Sequence, residues 1–175
     1  MALRMGRSAA PFFVNSHERR LVLAIATRTV WERANLFERA SKFSGRTRER
    51  CRAIGFACCQ FAILHPDYFN LEMMLKSQSF WEKASEERRR AHGVQAGRLF
   101  HSMNSLAQEV VACGDLPPGT RTQDVTLSLI SITLGSHIAT MQPDIQMLCA
   151  IEDPICALRR NQYLILDGWK WTPLL

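Results

Sequence analysis

The amino-acid sequence predicts an all-α protein, and two observations support this fold class. Apolar residues recur at helical spacing in the long segments between turn signals, and no segment shows the strict alternation of a half-buried strand. Glycine and proline, which interrupt helices, fall between these segments, most clearly at Gly114–Gly119. We therefore predict a bundle of about six helices.

The first helix begins at Ser16, whose hydroxyl can cap it, with Glu18 in the first turn. Its apolar residues recur every three or four positions at Leu23, Ala26, Val30, Ala34 and Phe37. The segment Lys42–Gly45 ends this helix, and a second helix spans about 46–64. From Ile54 onward the second helix is apolar on nearly every side, which predicts a central position.

Two helices should meet at an angle at His65–Pro66. Proline disfavours helix at the residue before it but fits the first turn of a new helix. A short helix is therefore expected from Pro66 to about Ser77. A longer helix follows, in which Glu86 and Arg90 form a favourable pair. Its apolar stripe comprises Leu99, Met103, Leu106 and Val110.

The last two helices follow the loop at Gly114–Gly119. The first of them spans about Thr122–Met141, with Asp124 at the positive end of its dipole. One face is predicted to be an apolar core stripe of Leu127, Ile130, Leu134, Ile138 and Met141. A second face has small residues that permit close approach of another helix: Ser131, Gly135 and Ala139. The final helix should begin at Pro154 with Asp153 as its cap.

Composition favours a cytoplasmic protein without a membrane partner. No apolar run approaches the roughly 20 residues that a membrane helix needs, and the six cysteines lack Cys-x-x-Cys spacing, which indicates reduced thiols. The net charge of +6 is concentrated in residues 1–60. This charge indicates either attraction to a polyanion or a solvated arginine-rich helix face. We expect Arg46, Arg48, Arg50 and Arg52 to be solvated, because their spacing spreads them around the helix.

The sequence predicts no enzyme, no cofactor and no metal site. It lacks the Gly-x-Ser-x-Gly, glycine-rich phosphate-binding and His-Glu-x-x-His motifs. Cys58 and Cys59 are adjacent on a helix, so their side chains diverge by about 100° and do not readily chelate one metal ion. A small helical enzyme with His137 or His101 as general base is a less favoured alternative, because neither has a carboxylate at convincing spacing.

The helix corner resembles the ligand-binding half of TetR-like (tetracycline-repressor-like) bacterial regulators. In that family a helix ends in His-Pro-Asp/Glu-x-Phe and a Leu/Met run follows, as in His65–Leu75. Further segments resemble the family in the same order along the chain. They are Phe12–Leu21, Phe43–Arg50, Gly114–Gly119 and Asp167–Leu174.

This resemblance implies that residues 16–175 form the ligand-binding and dimerisation domain of a regulator. Residues 1–15 would be an N-terminal tail, a remnant of the DNA-binding module, because Met1 to Pro11 are too few to form three helices. DNA would be bound only through a helix-turn-helix that is not present in this chain. The alternative is a structural dimerisation domain without a ligand.

The resemblance also implies a pocket for a small apolar effector. Methionine adapts to ligands of varied shape, so a pocket rich in methionine and aromatic residues would be apolar and tolerant. The same residues could instead form a solid core. The candidate ligand-binding residues are Phe56, Cys59, Ile63, Met73, Met74, Trp81, Phe100, Met103, His137 and Met141.

A homodimer is expected from the last two helices, two from each subunit forming a four-helix bundle as in TetR-like proteins. The small residues on the first of these helices favour contact with another helix. The candidate interface residues are Ser131, Gly135, Ala139, Leu158, Ile165 and Trp169.

Overall fold

The computed structural model describes residues 16–75, 81, 84–140 and 142–172, in which it contains seven helices and no strand. This confirms the predicted all-α class. The helices are α1 Ser16–Ser41, α2 Thr47–Leu64, α3 Pro66–Met74, α4 Glu86–Cys113, α5 Thr122–Thr140, α6 Pro143–Leu148 and α7 Pro154–Gly168. None of the helices in these ranges is both long and apolar enough to cross a membrane.

Helix α1 packs chiefly against α4 and α2. Its five predicted core residues, Leu23, Ala26, Val30, Ala34 and Phe37, are all buried. Burial of each larger apolar side chain contributes roughly 1.5–3 kcal/mol to stability. The helical spacing in the sequence therefore located the inner face of α1 correctly.

The corner between α2 and α3 is at the predicted place. Helix α2 ends at Leu64, and the His65 N–H donates a last hydrogen bond of 2.9 Å to the carbonyl of Phe61. His65 leaves the helical region of backbone space, as expected for a residue before proline. Phe69 on α3 is completely buried, with its ring centroid 6.3 Å from that of Phe61. This contact fixes α3 against α2.

The segment after α7 folds back onto the start of α2. The fully buried Trp171 donates its indole N–H to Oγ1 of Thr47 at 3.1 Å. The N–H of Thr172 donates to the carbonyl of Asp115 at 2.8 Å, in the loop after α4. Arg48 donates to the carbonyl of Trp171 at 2.8 Å. These bonds connect the end of the described chain to two distant segments.

The prediction that the arginines near the start of α2 are solvated is wrong for Arg48. Its side chain is buried and forms an ion pair with Asp167. Arg50 pairs with Glu109 of α4, with Nη1 2.5 Å from Oε1. Spacing within α2 could not reveal these partners, because each comes from a helix distant in sequence.

Helix α5 turns a different face inward from the predicted one. Leu127 is 64% exposed and Ile138 is 49% exposed, whereas Ile130 and Leu134 are half-buried. The residues buried on α5 are Val125, Thr126, Ser136, His137 and Thr140. Several of these polar groups form hydrogen bonds; for example, Oγ of Ser136 accepts a 3.0 Å hydrogen bond from Nδ2 of Asn161 on α7. The predicted stripe also included Met141, which lies outside the described residues.

The short helix α6 was not predicted, because Pro143 and Asp144 were interpreted only as the end of the preceding helix. Proline instead occupies the first turn of α6, where its missing N–H is not needed. Nε2 of Gln146 donates to the carbonyl of Thr140 at 2.8 Å and holds α6 against the end of α5. The last helix begins as predicted, because Oδ1 of Asp153 accepts from the N–H groups of Ile155 at 2.9 Å and Cys156 at 3.0 Å.

Candidate ligand-binding cavity

A cavity of about 250 Å³ lies inside the bundle, and residues of α1, α2, α3, α4, α5 and α7 line it. Its wall is mainly apolar and includes Val30, Ile54, Leu99, Met103, Leu106 and Leu129. The volume exceeds the roughly 150 Å³ of an engineered apolar cavity that binds benzene. It lies slightly below the range of about 300–1,000 Å³ for typical ligand pockets. A small, largely apolar molecule fits these dimensions.

One part of the cavity wall contains a buried ion pair. Nη2 of Arg33 on α1 lies 2.5 Å from Oε1 of Glu72 on α3, and both side chains are less than a tenth exposed. The Arg33 guanidinium also lies 5.3 Å from the ring centroid of Phe69 and 6.0 Å from that of Phe37. Neither Arg33 nor Glu72 is among the residues that the sequence predicted for the site. The sequence does contain an indication of a buried charge, because Arg33 falls within the apolar stripe of α1, between Val30 and Phe37.

A second polar group of the wall lies where α7 crosses α2. Nε2 of Gln162 donates to Oγ1 of Thr133 at 3.4 Å, and the Cys59 thiol lies 3.8 Å from Oε1 of Gln162. Burial raises the pKa of Cys59 to about 12, so the thiol keeps its proton. A Cβ atom on Gly55 would lie 2.7 Å from Oε1 of Gln162. The missing side chain at Gly55 therefore allows the close approach of Gln162.

Arg52 and Tyr163 form a third polar group of the wall, and both side chains are partly exposed. The Arg52 guanidinium lies 4.6 Å from the centroid of the Tyr163 ring. Arg52, followed by Arg159, favours the charged form of the phenol and so lowers the pKa of Tyr163. Phe100, another lining residue, is 51% exposed. The cavity wall thus reaches the protein surface near these side chains.

His137 is buried beside the cavity wall and is not a lining residue itself. Its ring packs edge-on against Phe69 with 4.1 Å between centroids, and its Nε2 lies 3.4 Å from Oδ1 of Asn70. Burial, followed by the positive charge of Arg33, lowers the pKa of His137 to about 4. His137 is therefore neutral at pH 7, and it packs against Phe69, a residue of the cavity wall.

Of the ten candidate ligand-binding residues, Phe100 and Met103 line the cavity. Trp81 lies next to it, with 4.6 Å between its ring centroid and that of the lining residue His92. Cys59 is buried against Gln162 but is not a lining residue. The side chains of Met73 and Met74, and all of Met141, lie outside the described residues.

Phe56 and Ile63 lie on the outer side of α2, where they are 51% and 48% exposed, and they do not line the cavity. The Arg159 guanidinium lies 5.9 Å from the centroid of the Phe56 ring. Because α2 is apolar on nearly every side, its sequence does not distinguish the cavity side from the outer side. Ile54 and Cys58 occupy the cavity side instead.

The candidate interface residues separate into exposed and buried groups. Ser131 and Gly135 are exposed on α5, and Ala139 is half-buried. On α7, Leu158 is completely buried within its own chain, so a partner subunit cannot reach it. Ile165 and Trp169 are partly buried against the core. The exposed α5 face consists of Leu127, Ser131, Gly135 and Ile138.

Comparison with known proteins finds no family model that matches this chain, and neither curated proteins nor solved structures give a significant match. The TetR-like resemblance, the regulatory function and the dimer therefore stay predictions.

Proposed function

We propose that this chain is the ligand-binding and dimerisation domain of a TetR-like transcriptional regulator that senses a small apolar effector. The observation that carries the proposal is the apolar cavity of about 250 Å³ within the helical bundle. It lies beside the α2–α3 corner, whose sequence carries the family resemblance, and Phe69 of α3 contributes to its wall.

The volume of the cavity supports a ligand-binding role. Protein interiors are close-packed, and the few voids they contain are rarely larger than a water molecule. At about 24 cal/mol per Å³, an empty cavity of this size would destabilise the fold by up to about 6 kcal/mol. That cost is comparable to the entire stability of a typical domain, about 5–15 kcal/mol. A ligand that fills the space would recover much of this energy.

The exposed face of α5 supports a homodimer. Between Val125 and Thr140 the helix has no Asp, Glu, Lys or Arg, although Leu127, Ser131, Gly135 and Ile138 on this face are exposed. The cores of protein interfaces are likewise depleted of charged residues. A two-fold arrangement would place this face against the same face of a second copy. Leu164 of α7, which is 60% exposed, would add apolar area to such an interface.

Helix α5 would connect ligand binding to dimerisation. Leu129, Ile130, Thr133 and Leu134 line the cavity. The exposed face of the same helix would contact the second subunit. In TetR-like regulators, ligand binding changes the spacing of two DNA-binding heads, which requires that the ligand bind two states of the dimer with different affinity. A ligand in this cavity would touch the helix whose position has to change.

Thermal unfolding with a panel of small uncharged apolar compounds tests the proposed ligand-binding function. A compound at about 100 times its Kd stabilises a protein by about 2.7 kcal/mol. For a chain of this length, each kcal/mol raises the Tm by roughly 2–4 °C. We expect at least one compound to raise the Tm in proportion to the logarithm of its concentration. If no compound does so at millimolar concentration, a dimerisation domain without a ligand becomes the better account.

A further inference from the structure

We infer that the ligand is an amphipathic anion, with its charged group held by Arg52 and Tyr163 and its apolar part inside the cavity. This inference rests on the proposed ligand-binding function and refines the proposed effector to a molecule whose apolar part carries one anionic group.

The geometry places a positive charge at the partly exposed edge of an apolar cavity. Arg52 of α2 and Tyr163 of α7 both line the cavity, with the guanidinium 4.6 Å from the centroid of the phenol ring. Arg159 lies one turn before Tyr163 on the same helix, and it adds to the effect of Arg52 in lowering the pKa of Tyr163. Two positively charged side chains therefore act on Tyr163, and the guanidinium of Arg52 lies over its ring.

These two charges differ from the other arginines near the core. Arg33, Arg48 and Arg50 are each neutralised by a carboxylate, from Glu72, Asp167 and Glu109 respectively. Within the described part of the chain, neither Arg52 nor Arg159 forms an ion pair with a carboxylate. A positive charge without a carboxylate partner at the edge of the cavity attracts an anion and repels a cation.

Arg52 has the chemistry that an anionic group requires. The planar guanidinium donates two parallel hydrogen bonds to a carboxylate, and such charge-assisted bonds are about twice as strong as neutral ones. The Tyr163 hydroxyl can donate a third hydrogen bond. Beyond these groups, the wall consists largely of apolar side chains such as Ile54, Leu99 and Met103. A short alkyl or aryl chain would be buried there.

Octanoate and 1-octanol, matched in chain length and different in charge, test this inference by isothermal titration at pH 7.4. The chain length is chosen from the cavity volume of about 250 Å³. If each carbon of the chain is taken to need about 30 Å³, the liquid volume of a water molecule, the cavity holds roughly eight carbons. We expect octanoate to bind about ten-fold more tightly than 1-octanol, which is the effect of one hydrogen bond to a charged group. Arg52→Ala should remove this preference, because it should weaken the binding of octanoate about ten-fold more than the binding of 1-octanol.

Arg160→Ala is the matched control, because Arg160 is exposed on α7 and does not line the cavity. This variant should retain the full preference for octanoate. Tyr163→Phe, which removes only the hydroxyl, should reduce the preference without abolishing it. It serves as the second variant should Arg52→Ala fail to fold.

The outcomes separate the two proposals. If both compounds bind the parent with equal affinity, the cavity binds ligands but the inference about charge is wrong. Equal losses of octanoate binding in Arg52→Ala and Arg160→Ala would also overturn it, because they would indicate a general effect of surface charge. If neither compound binds the parent, the inference about charge is wrong. The proposed ligand-binding function is then tested separately by thermal unfolding with the panel of uncharged apolar compounds.

Discussion

Arg33 of α1 and Glu72 of α3 form an ion pair inside the wall of the cavity, with Nη2 2.5 Å from Oε1. Helices α1 and α3 belong to segments that are far apart in sequence, and the α2–α3 corner at Pro66 is what brings Glu72 toward α1. The pair therefore connects the predicted corner to the cavity. It also predicts how single and double substitutions at Arg33 and Glu72 affect stability.

Removal of one member of this pair should be more harmful than removal of both. Glu72→Leu leaves the Arg33 charge buried without its carboxylate and should reduce the free energy of unfolding by about 3–5 kcal/mol. The double variant Arg33→Met/Glu72→Leu replaces both charges with apolar groups and should be less destabilised than Glu72→Leu alone. Urea denaturation of the parent, both single variants and the double variant gives the coupling energy. Strictly additive losses would contradict this prediction.

The buried tail residue Trp171 should contribute more to stability than an exposed tryptophan. Trp171→Ala removes a completely buried side chain and its hydrogen bond to Thr47, and should reduce the unfolding free energy by about 3–5 kcal/mol. Trp31, which is 45% exposed on α1, provides the control. Trp31→Ala should cost about 1 kcal/mol or less. Equal losses in urea denaturation would show that the segment after α7 is not an integral part of the fold.

Burial of His137 should make the protein less stable at mildly acidic pH. The pKa of His137 falls from 6.5 to about 4 on folding, so between these values the unfolded chain binds more protons than the folded one. Stability is therefore full above pH 6.5 and decreases as the pH falls. Between pH 6.5 and 5 this decrease amounts to roughly 2 kcal/mol.

His137→Gln removes the titrating group and should flatten the dependence of unfolding free energy on pH in this range. His101→Gln is the control, because His101 is exposed on α4, and it should leave the dependence unchanged. If His137→Gln and the parent lose the same stability between pH 6.5 and 5, another group is responsible for the acid sensitivity.

The proposed dimer should depend on Gly135. A Cβ atom there would meet nothing within 4 Å in its own subunit, and Gly93 on α4 is equally open. Gly135→Arg places a charge in the centre of the exposed α5 face and should convert the dimer to a monomer. Gly93→Arg should remain dimeric, although both changes remove a helical glycine. Sedimentation velocity at micromolar concentration distinguishes them, and a monomeric parent protein would refute the proposed dimer.

Local signals in the sequence predicted most helix boundaries. Asp153 and Pro154 identify the start of α7, Pro66 identifies the corner, and Gly114, whose φ angle is 75°, ends α4. Glycine adopts positive φ angles without the steric cost that a Cβ atom imposes, so this last signal is a direct consequence of backbone sterics. The length of α1 and the identity of its buried face could also be predicted, from the helical spacing of its apolar residues.

The inner face of α5 and most of the cavity wall could not be predicted, because they depend on contacts between distant segments. Helix α5 has apolar residues on two sides, and its periodicity does not specify which side faces the core of its own chain. The spacing of Arg52 on α2 indicates a solvated side chain, and its position beside Tyr163 could not be predicted because it depends on α7, which is distant in sequence. The close contact between Gly55 and Gln162, where these helices meet, becomes recognisable only in three dimensions.

The most direct test of the central claim, that the cavity binds a ligand, is the binding of 1-octanol to Met103→Trp measured by isothermal titration. Met103 lines the cavity, so the larger indole should occupy its volume and weaken binding at least ten-fold, with overpacking reducing stability by no more than about 1–3 kcal/mol. Phe56→Trp is the matched control, because Phe56 lies on the outer side of α2 and should leave the affinity unchanged. Binding to the parent and to Phe56→Trp, with loss in Met103→Trp, is the predicted result. Equal binding to all three proteins would contradict the claim, because it would place the bound molecule outside the cavity.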